Sequence, residues 1–376
     1  MNRKVKQVLY AIQGRSEEFR CNTGVIFSLL LLLLTGYSMN VFAQTHSTDV
    51  AISGQWFLSF QAGENEGADI NRFYAHRGYL TFKPTFTESL SARITPDITI
   101  DNSGDVKVRL KYMYMNFNLP SKGLFTKPYV EFGLAHRAWL DYEEHIDYYR
   151  MQGTMFLERN HLFNSADFGV TFVSLFGGEM DSGYQERVNN KYPGRYGSMA
   201  LGVYNGGGYH AVENNTNKII ESRVSLRPLP DSVPGLQASY FGVFGKGNTI
   251  QEPDWTLHSA FLSYEHEIVV ATAQYYTGKG NSKGDAVDAN GTATGQTGYS
   301  FFSELKIPDT QFSVIGRFDS FDPDTDIRDN DIERAIVGVA YRFHGHKALL
   351  DYDNAKVKST DSTKNSLLKF TVEVYF

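Results

Sequence analysis

Leu368-Lys-Phe-Thr-Val-Glu-Val-Tyr-Phe376 ends the chain, and it alternates without a break. Leu368, Phe370, Val372, Val374 and Phe376 fall on one face, with Lys369, Thr371, Glu373 and Tyr375 on the other. Successive side chains of a strand point to opposite sides. One face of this segment therefore suits hydrocarbon and the other suits water, which is the pattern of a strand in a transmembrane barrel.

The pattern repeats upstream. Lys107, Arg109 and Lys111 alternate with Val108, Leu110 and Tyr112, and Arg317 and Asp319 flank Phe318. A charge at every second position is intolerable in a sandwich core and natural on a wall that faces a channel. Segments of roughly ten residues bounded by Gly, Pro, Asn or Asp recur along the chain. They begin with 50–60 and 71–83, pass through 195–205 and 216–228, and end with 366–376. This reading gives 16 strands, an even number as closure of a bacterial barrel requires. The fold class expected is all-β, a transmembrane antiparallel β-barrel.

Connections alternate in length. Glu267, Pro308-Asp309 and Gly345-His346 mark tight turns, whereas 137–165, 279–295 and 321–330 are long, as periplasmic turns and outer loops are. One connection, Gly177 to Gly194, falls where a short turn is due and is long. Either the count slips there or the turn carries an insertion.

In hydrocarbon every backbone donor and acceptor must be paired within the protein, and a closed sheet achieves this without an edge. No stretch after Ala43 has 18 apolar residues in a row, which excludes a helical membrane protein. The chain has 23 Tyr and 27 Phe. Those near strand ends, Tyr112, Tyr114 and Phe117, Tyr240 and Phe241, Tyr275 and Tyr276, Phe301 and Phe302, are expected to form belts at the two water interfaces.

The N-terminus reads as an export signal. Arg3, Lys4, Lys6, Arg15 and Arg20 precede the apolar run from Val25 to Leu34, and Val41-Phe42-Ala43 offers a cleavage site. The run falls short of the roughly 20 residues a spanning helix needs. The division expected is a signal peptide over 1–43 and a barrel over 44–376. Five basic and two acidic residues leave with the signal, taking the net charge from −6 to −9. So acidic a chain is a poor nucleic-acid binder. Cys21, the one cysteine, leaves as well, so disulfides, Cys-ligated metals and thiol nucleophiles are excluded from the mature chain.

Two stretches carry a resemblance to a known family. Phe132-Gly-Leu-Ala-His-Arg-Ala-Trp139-Leu-Asp141-Tyr-Glu143-Glu144-His-Ile-Asp147-Tyr-Tyr-Arg150, followed by Ser165-Ala-Asp167-Phe-Gly169-Val, resembles porins of the phosphate-selective O/P type. Tyr204-Asn205-Gly206-Gly-Gly-Tyr209, Glu213-Asn214-Asn215 and Arg223-Val-Ser-Leu-Arg227-Pro228 resemble the next hairpin of that family. The closing Tyr375-Phe376 is similar to the terminal signature by which outer-membrane barrels are recognised for insertion. The resemblance implies a barrel of the bacterial outer membrane, a homotrimer among lipid, with its third outer loop folded inward as a constriction. It implies passive diffusion of ions and small polar solutes, with no enzyme activity, cofactor or metal. Anion-specific members line the pore with many lysines and arginines, and the net acidic mature chain departs from that pattern.

On this reading the constriction loop is 137–165. It carries Asp141, Glu143, Glu144, Asp147 and Glu158 with Arg137, Arg150 and Arg159, and Arg93, Lys107, Arg109 and Lys111 supply a basic wall. Acidic groups opposite basic ones set a transverse field across a narrow aqueous opening. Two alternatives belong to other classes: a barrel hydrolase, which needs a paired nucleophile and base at the rim, and a secreted soluble β-rich protein that binds carbohydrate through exposed aromatics. Asp322, Asp324, Asp326, Asp329 and Asp331 lack a full calcium-loop spacing and read as a solvated loop.

Overall fold

The computed structural model describes residues 49–101, 103–358 and 362–376. The signal peptide read at 1–43, with its cleavage after Ala43, lies outside the described residues. Sixteen strands close into one antiparallel barrel in chain order: β1 (Asp49–Asn65), β2 (Ala68–Thr87), β3 (Leu90–Ile100), β4 (Val106–Asn118), β5 (Phe125–His136), β6 (Ala166–Phe176), β7 (Gly197–Tyr204) and β8 (Ile219–Leu226). The second half adds β9 (Leu236–Lys246), β10 (Asp254–Glu265), β11 (Val269–Lys279), β12 (Gly295–Lys306), β13 (Phe312–Asp322), β14 (Ile332–Phe343), β15 (His346–Val357) and β16 (Ser362–Tyr375). Among the described residues, three short α-helices lie between strands, α1 (Leu140–Glu144) and α2 (Phe156–Arg159) after β5 and α3 (Ser182–Arg187) after β6, with a 3-10 turn (Arg150–Gln152) between α1 and α2.

The C-terminal stretch makes the closure. β16 pairs with β1 from Gln55↔Tyr375 to Asn65↔Asn365, and Gly54 and Phe376 exchange both backbone hydrogen bonds at 2.8 and 3.2 Å. The Phe376 ring lies edge-on to Trp56 at 5.3 Å. A Cβ on residue 54 would come within 2.2 Å of that ring, so the terminal aromatic is seated over a glycine.

Alternation along the strands sorts the two faces. On β12 and β13, Phe301 and Phe318 point out and are exposed, while Ser300, Glu304, Arg317 and Asp319 point in and are buried. The outer apolar face continues through Leu262, Val337, Leu350, Leu368 and Phe370, which is the surface a bilayer requires.

Two expectations are revised and one open alternative is settled. β1 and β2 run well beyond 50–60 and 71–83, meeting in a hairpin whose turn residues Glu66 and Gly67 take φ of 49° and 79°. The intervening sequence is polar because, above the apolar belt, both faces of a hairpin meet water. The long 177–194 connection is an insertion in a turn and no slip of the count, since β6 and β7 pair directly. The aromatic belts are corrected, because neighbours in a strand cannot share a face. Tyr240, Tyr275 and Phe301 are exposed on the outside, whereas Phe241, Tyr276 and Phe302 are buried inside. Tyr112 and Tyr114 also turn inward, where the Tyr112 ring lies tilted against His136 at 4.2 Å. There the register shifts between Thr95 and Pro96, so Lys111 and Tyr112 are both buried. Pro96 has no N–H for the ladder, and a bulge accommodates it.

Candidate functional site

The connection 137–165, called L3 below, is not free in solvent. Trp139 stacks on Phe241 at 5.2 Å and meets Phe261 edge-on at 5.2 Å. Tyr149 packs on Phe302 at 6.2 Å and Phe156 on Phe321 at 6.3 Å. Each of these wall residues is buried in the alternation that sends its neighbours to the outside, so L3 lies within the lumen. With Met151, Met155, Leu157, Leu162 and Phe163 it builds a hydrophobic core inside the barrel, against β9, β10, β12 and β13. Gly298 makes room for it, since a Cβ there would stand 2.8 Å from the Phe156 ring.

Polar contacts anchor the loop at both sides of this core. The Arg137 Nε donates to Glu221 at 2.8 Å, and the Ala138 N–H donates to the same carboxylate at 3.2 Å. The Tyr148 and Tyr149 hydroxyls donate to Glu304 at 2.8 and 2.6 Å. Lys347 donates to the Tyr148 carbonyl at 2.8 Å and Lys369 to the Gln152 carbonyl at 3.0 Å. Arg159 pairs with Asp319 at 2.8 Å, and Asp147 faces Arg317 at 3.6 Å.

These anchors divide the charges read in the loop. Arg137, Glu143, Asp147 and Arg159 hold L3 to the wall or to itself, Glu143 by accepting from the Trp139 indole at 2.6 Å. Asp141, Glu144, Arg150 and Glu158 remain on the partly exposed side, where Glu144 and Arg150 pair at 2.7 Å. Facing them is the wall of β2, β3 and β4. Arg93 lies over the Tyr112 ring at 4.4 Å and reaches His136 at 3.1 Å. Lys111 lies over the Tyr79 ring at 4.6 Å, and Arg109 faces the buried Asp97 at 3.4 Å. Lys107 stands at the rim, 3.0 Å from Asp101. Arg77 and Lys83 join this wall and were not read as part of it. They alternate in step with the buried Tyr79 and Thr81 of β2, beyond a register shift opposite Phe57 and Leu58.

The inserted turn after β6 approaches L3 from the end of the barrel that holds the C-terminus. Its neck is a short ladder, with the Met180 N–H donating to the Pro193 carbonyl at 2.8 Å and the Arg195 N–H to that of Gly178 at 3.0 Å. Beyond the neck, Asp181 caps α3. Asn189 donates to the His145 carbonyl at 2.9 Å, and the Tyr192 hydroxyl donates to Asp141 at 2.6 Å. Tyr192 also lies 5.3 Å from Tyr142. Arg223, buried in β8, sits over both rings, at 4.2 Å from Tyr142 and 4.9 Å from Tyr192.

Two buried loop carboxyls titrate upward. Burial pushes Glu143 up to about 8 against the pull of Arg317, and Asp147 up to about 6 against the same guanidinium. A carboxyl raised above its ordinary value of 4.5 gives stability that is complete below that value and is lost as pH rises through the folded one. Docking of L3 is therefore expected to loosen as pH rises from about 4.5 to about 8, the range in which docked Glu143 holds a proton that the undocked loop has released. Open-channel current noise should rise over that window in the native chain. In Glu143→Gln it should stay flat, and an identical rise in that variant would assign the effect elsewhere.

Neither a protein-family model nor a curated protein sequence matches the chain. Solved structures do. The outer-membrane channel DcaP of Acinetobacter baumannii superposes with a TM-score of 0.57 at 12% identity, covering 90% of this chain and 100% of that one. The anion-selective porin from Comamonas acidovorans gives 0.56 at 10%, covering 88% and 100%. The trimer form of OmpT, an outer membrane protein of Vibrio cholerae, gives 0.55 at 14%, covering 88% and 100%. At these identities the likeness is one of fold, that of a porin-like outer-membrane barrel.

Proposed function

We propose that this chain is a diffusion porin of the bacterial outer membrane, passing ions and small polar solutes through the space between L3 and the β2–β4 wall. The observation that carries the proposal is the asymmetric filling of the lumen. L3 packs its apolar side on β9 to β13 and presents Asp141, Glu144, Arg150 and Glu158 towards Arg77, Arg93, Arg109 and Lys111. Charges of opposite sign across an aqueous gap sort solutes by charge and dipole without binding them tightly.

The finer resemblance of Phe132–Arg150 to phosphate-selective porins supports a shared loop architecture. The mature charge of −9 does not favour phosphate specificity, so a general pore for small polar solutes is the reading adopted. A homotrimer in the lipid bilayer is part of the proposal, in line with the trimer form of Vibrio cholerae OmpT.

Proteoliposome swelling tests it. Vesicles holding the purified mature chain should swell in small sugars and amino acids at rates that fall with solute size. A sealed barrel or a rim hydrolase would leave them inert while the protein remained folded and inserted.

A further inference from the structure

The outer mouth, beyond L3, holds a cavity of about 280 Å³ between L3, the β2–β4 wall and the loops 205–218 and 280–294. Its lining is unlike the acidic chain around it. Arg77, Arg109, Arg159 and Lys283 face it with a single carboxylate, Glu158. Two of the guanidinia are only half used. Asp97, fully buried, lies 3.3 Å from the Arg77 Nε and accepts from the Arg109 Nη2 at 3.4 Å, and the Arg77 Nη1 donates to the Tyr79 hydroxyl at 3.4 Å, which leaves N–H groups on each guanidinium for a further acceptor. The Arg109 Nε is buried with no acceptor, and so is the Arg159 Nη2 beside its bond to Asp319. Buried donors without acceptors are costly and rare, and guanidinium N–H groups are suited to a carboxylate.

The field in the cavity has the same sign. The His210 imidazole is pushed below its ordinary value by burial, then by Arg109, Arg77 and Lys283, with Asp97 only a smaller opposing influence. The remaining lining includes rings: Tyr209, His161 and His210, with Tyr209 and His210 edge-on at 4.6 Å. Rings offer flat apolar area to an organic body.

We propose that this vestibule is a binding site for a small organic carboxylate, which waits there before passing L3. The carboxylate lies between the Arg77 and Arg109 guanidinia with Lys283 above, and the organic body lies against Tyr209 and the two imidazoles. The proposal rests on the porin reading for its purpose, and not for its chemistry.

Benzoate, acetate and inorganic phosphate are the probes, titrated by calorimetry into the full mature chain in detergent and added to single channels in a bilayer. Benzoate should bind with a Kd on the order of 1 mM and block the current transiently. Acetate and phosphate should bind more weakly. Lys283→Gln alone should weaken benzoate about tenfold, the loss of one charge-assisted hydrogen bond, and Lys283→Gln combined with Arg109→Gln should weaken it further. Glu158→Gln should strengthen it, because the one repelling carboxylate is gone.

Conducting channels with neither heat nor block would overturn the site and leave the porin reading intact. Heat from benzoate in a barrel that never conducts would keep the site and remove the porin reading. Phosphate binding as tightly as benzoate, or weaker benzoate binding in Glu158→Gln, would overturn the assignment to an organic carboxylate.

Discussion

Glu221→Ala is expected to release L3 from the wall and raise single-channel conductance, while the barrel itself stays folded. Both partners of the Arg137–Glu221 pair have fully buried side chains, and Arg137 is enclosed by the Trp255 and Phe163 rings at 5.1 and 5.2 Å. Removing one partner of a buried pair leaves the other charged and dry, at a cost of about 3–5 kcal/mol. The Ala138 N–H loses its acceptor as well. That cost falls on loop docking, because the ladders of β8 to β7 and to β9 are backbone bonds that the substitution does not touch. Trp139 then leaves its stack on Phe241, so tryptophan emission should shift to the red along with the gain in conductance. Heat-modifiable migration in detergent should be unchanged. Unaltered conductance in a folded variant would show that L3 does not set the aperture. Replacing both residues, Arg137→Met with Glu221→Leu, should restore most of the docking, since a well-packed apolar pair of similar volume is often no less stable than the ion pair it replaces.

The second large effect is expected from shortening the turn after β6. The neck at Gly178–Arg195 is already closed by backbone hydrogen bonds, so residues 181–192 can be excised and the ends rejoined without disturbing β6 or β7. The deletion removes Tyr192 from Asp141 and Asn189 from His145, which frees the underside of L3. If this insertion narrows the path from the periplasmic end, conductance should rise by roughly twofold or more, because conduction follows pore cross-section. Tyr192→Phe should give a smaller change, through loss of the 2.6 Å bond to Asp141 alone. A deletion that leaves conductance at the native value would reduce the insertion to a structural prop.

Much of this architecture was legible in the residues, and the physical reason is period two. A barrel between lipid and water imposes alternation on every strand, so Arg317, Phe318 and Asp319 declare their faces, and so does the run from Leu368 to Phe376. Tight turns at Pro308-Asp309 and Gly345-His346 were legible for the same kind of reason: Asp309, His344 and Gly345 take positive φ. Alternation fails as a guide where lipid no longer enforces it. The top of β1 and β2 stands in water, and the sequence there looks like a loop.

The site was legible in outline only. A long loop carrying charges after β5 could be read as a constriction, yet nothing in linear order separates Glu143, buried on Trp139, from Glu144, which pairs with Arg150. The docking surface escaped for a related reason. Phe241, Tyr276 and Phe302 each follow an outward aromatic, and reading such pairs as belts ignored that the second member must turn inward. Pro96 was the signal that could have placed Tyr112 inside, since a proline within a central strand marks a bulge. Partners distant in sequence, such as Arg137 with Glu221 or Lys347 with the Tyr148 carbonyl, are fixed by closure of the barrel and have no local signature.

The most direct test of a water-filled pore narrowed by L3 is the single-channel conductance of the purified mature chain in a planar bilayer, with reversal potentials across a salt gradient. The account predicts stable open steps, grouped in threes, and a reversal potential that shifts towards cation preference when Arg77 and Arg109 are both replaced by Gln. A folded, inserted barrel that passes no current at any voltage would contradict it.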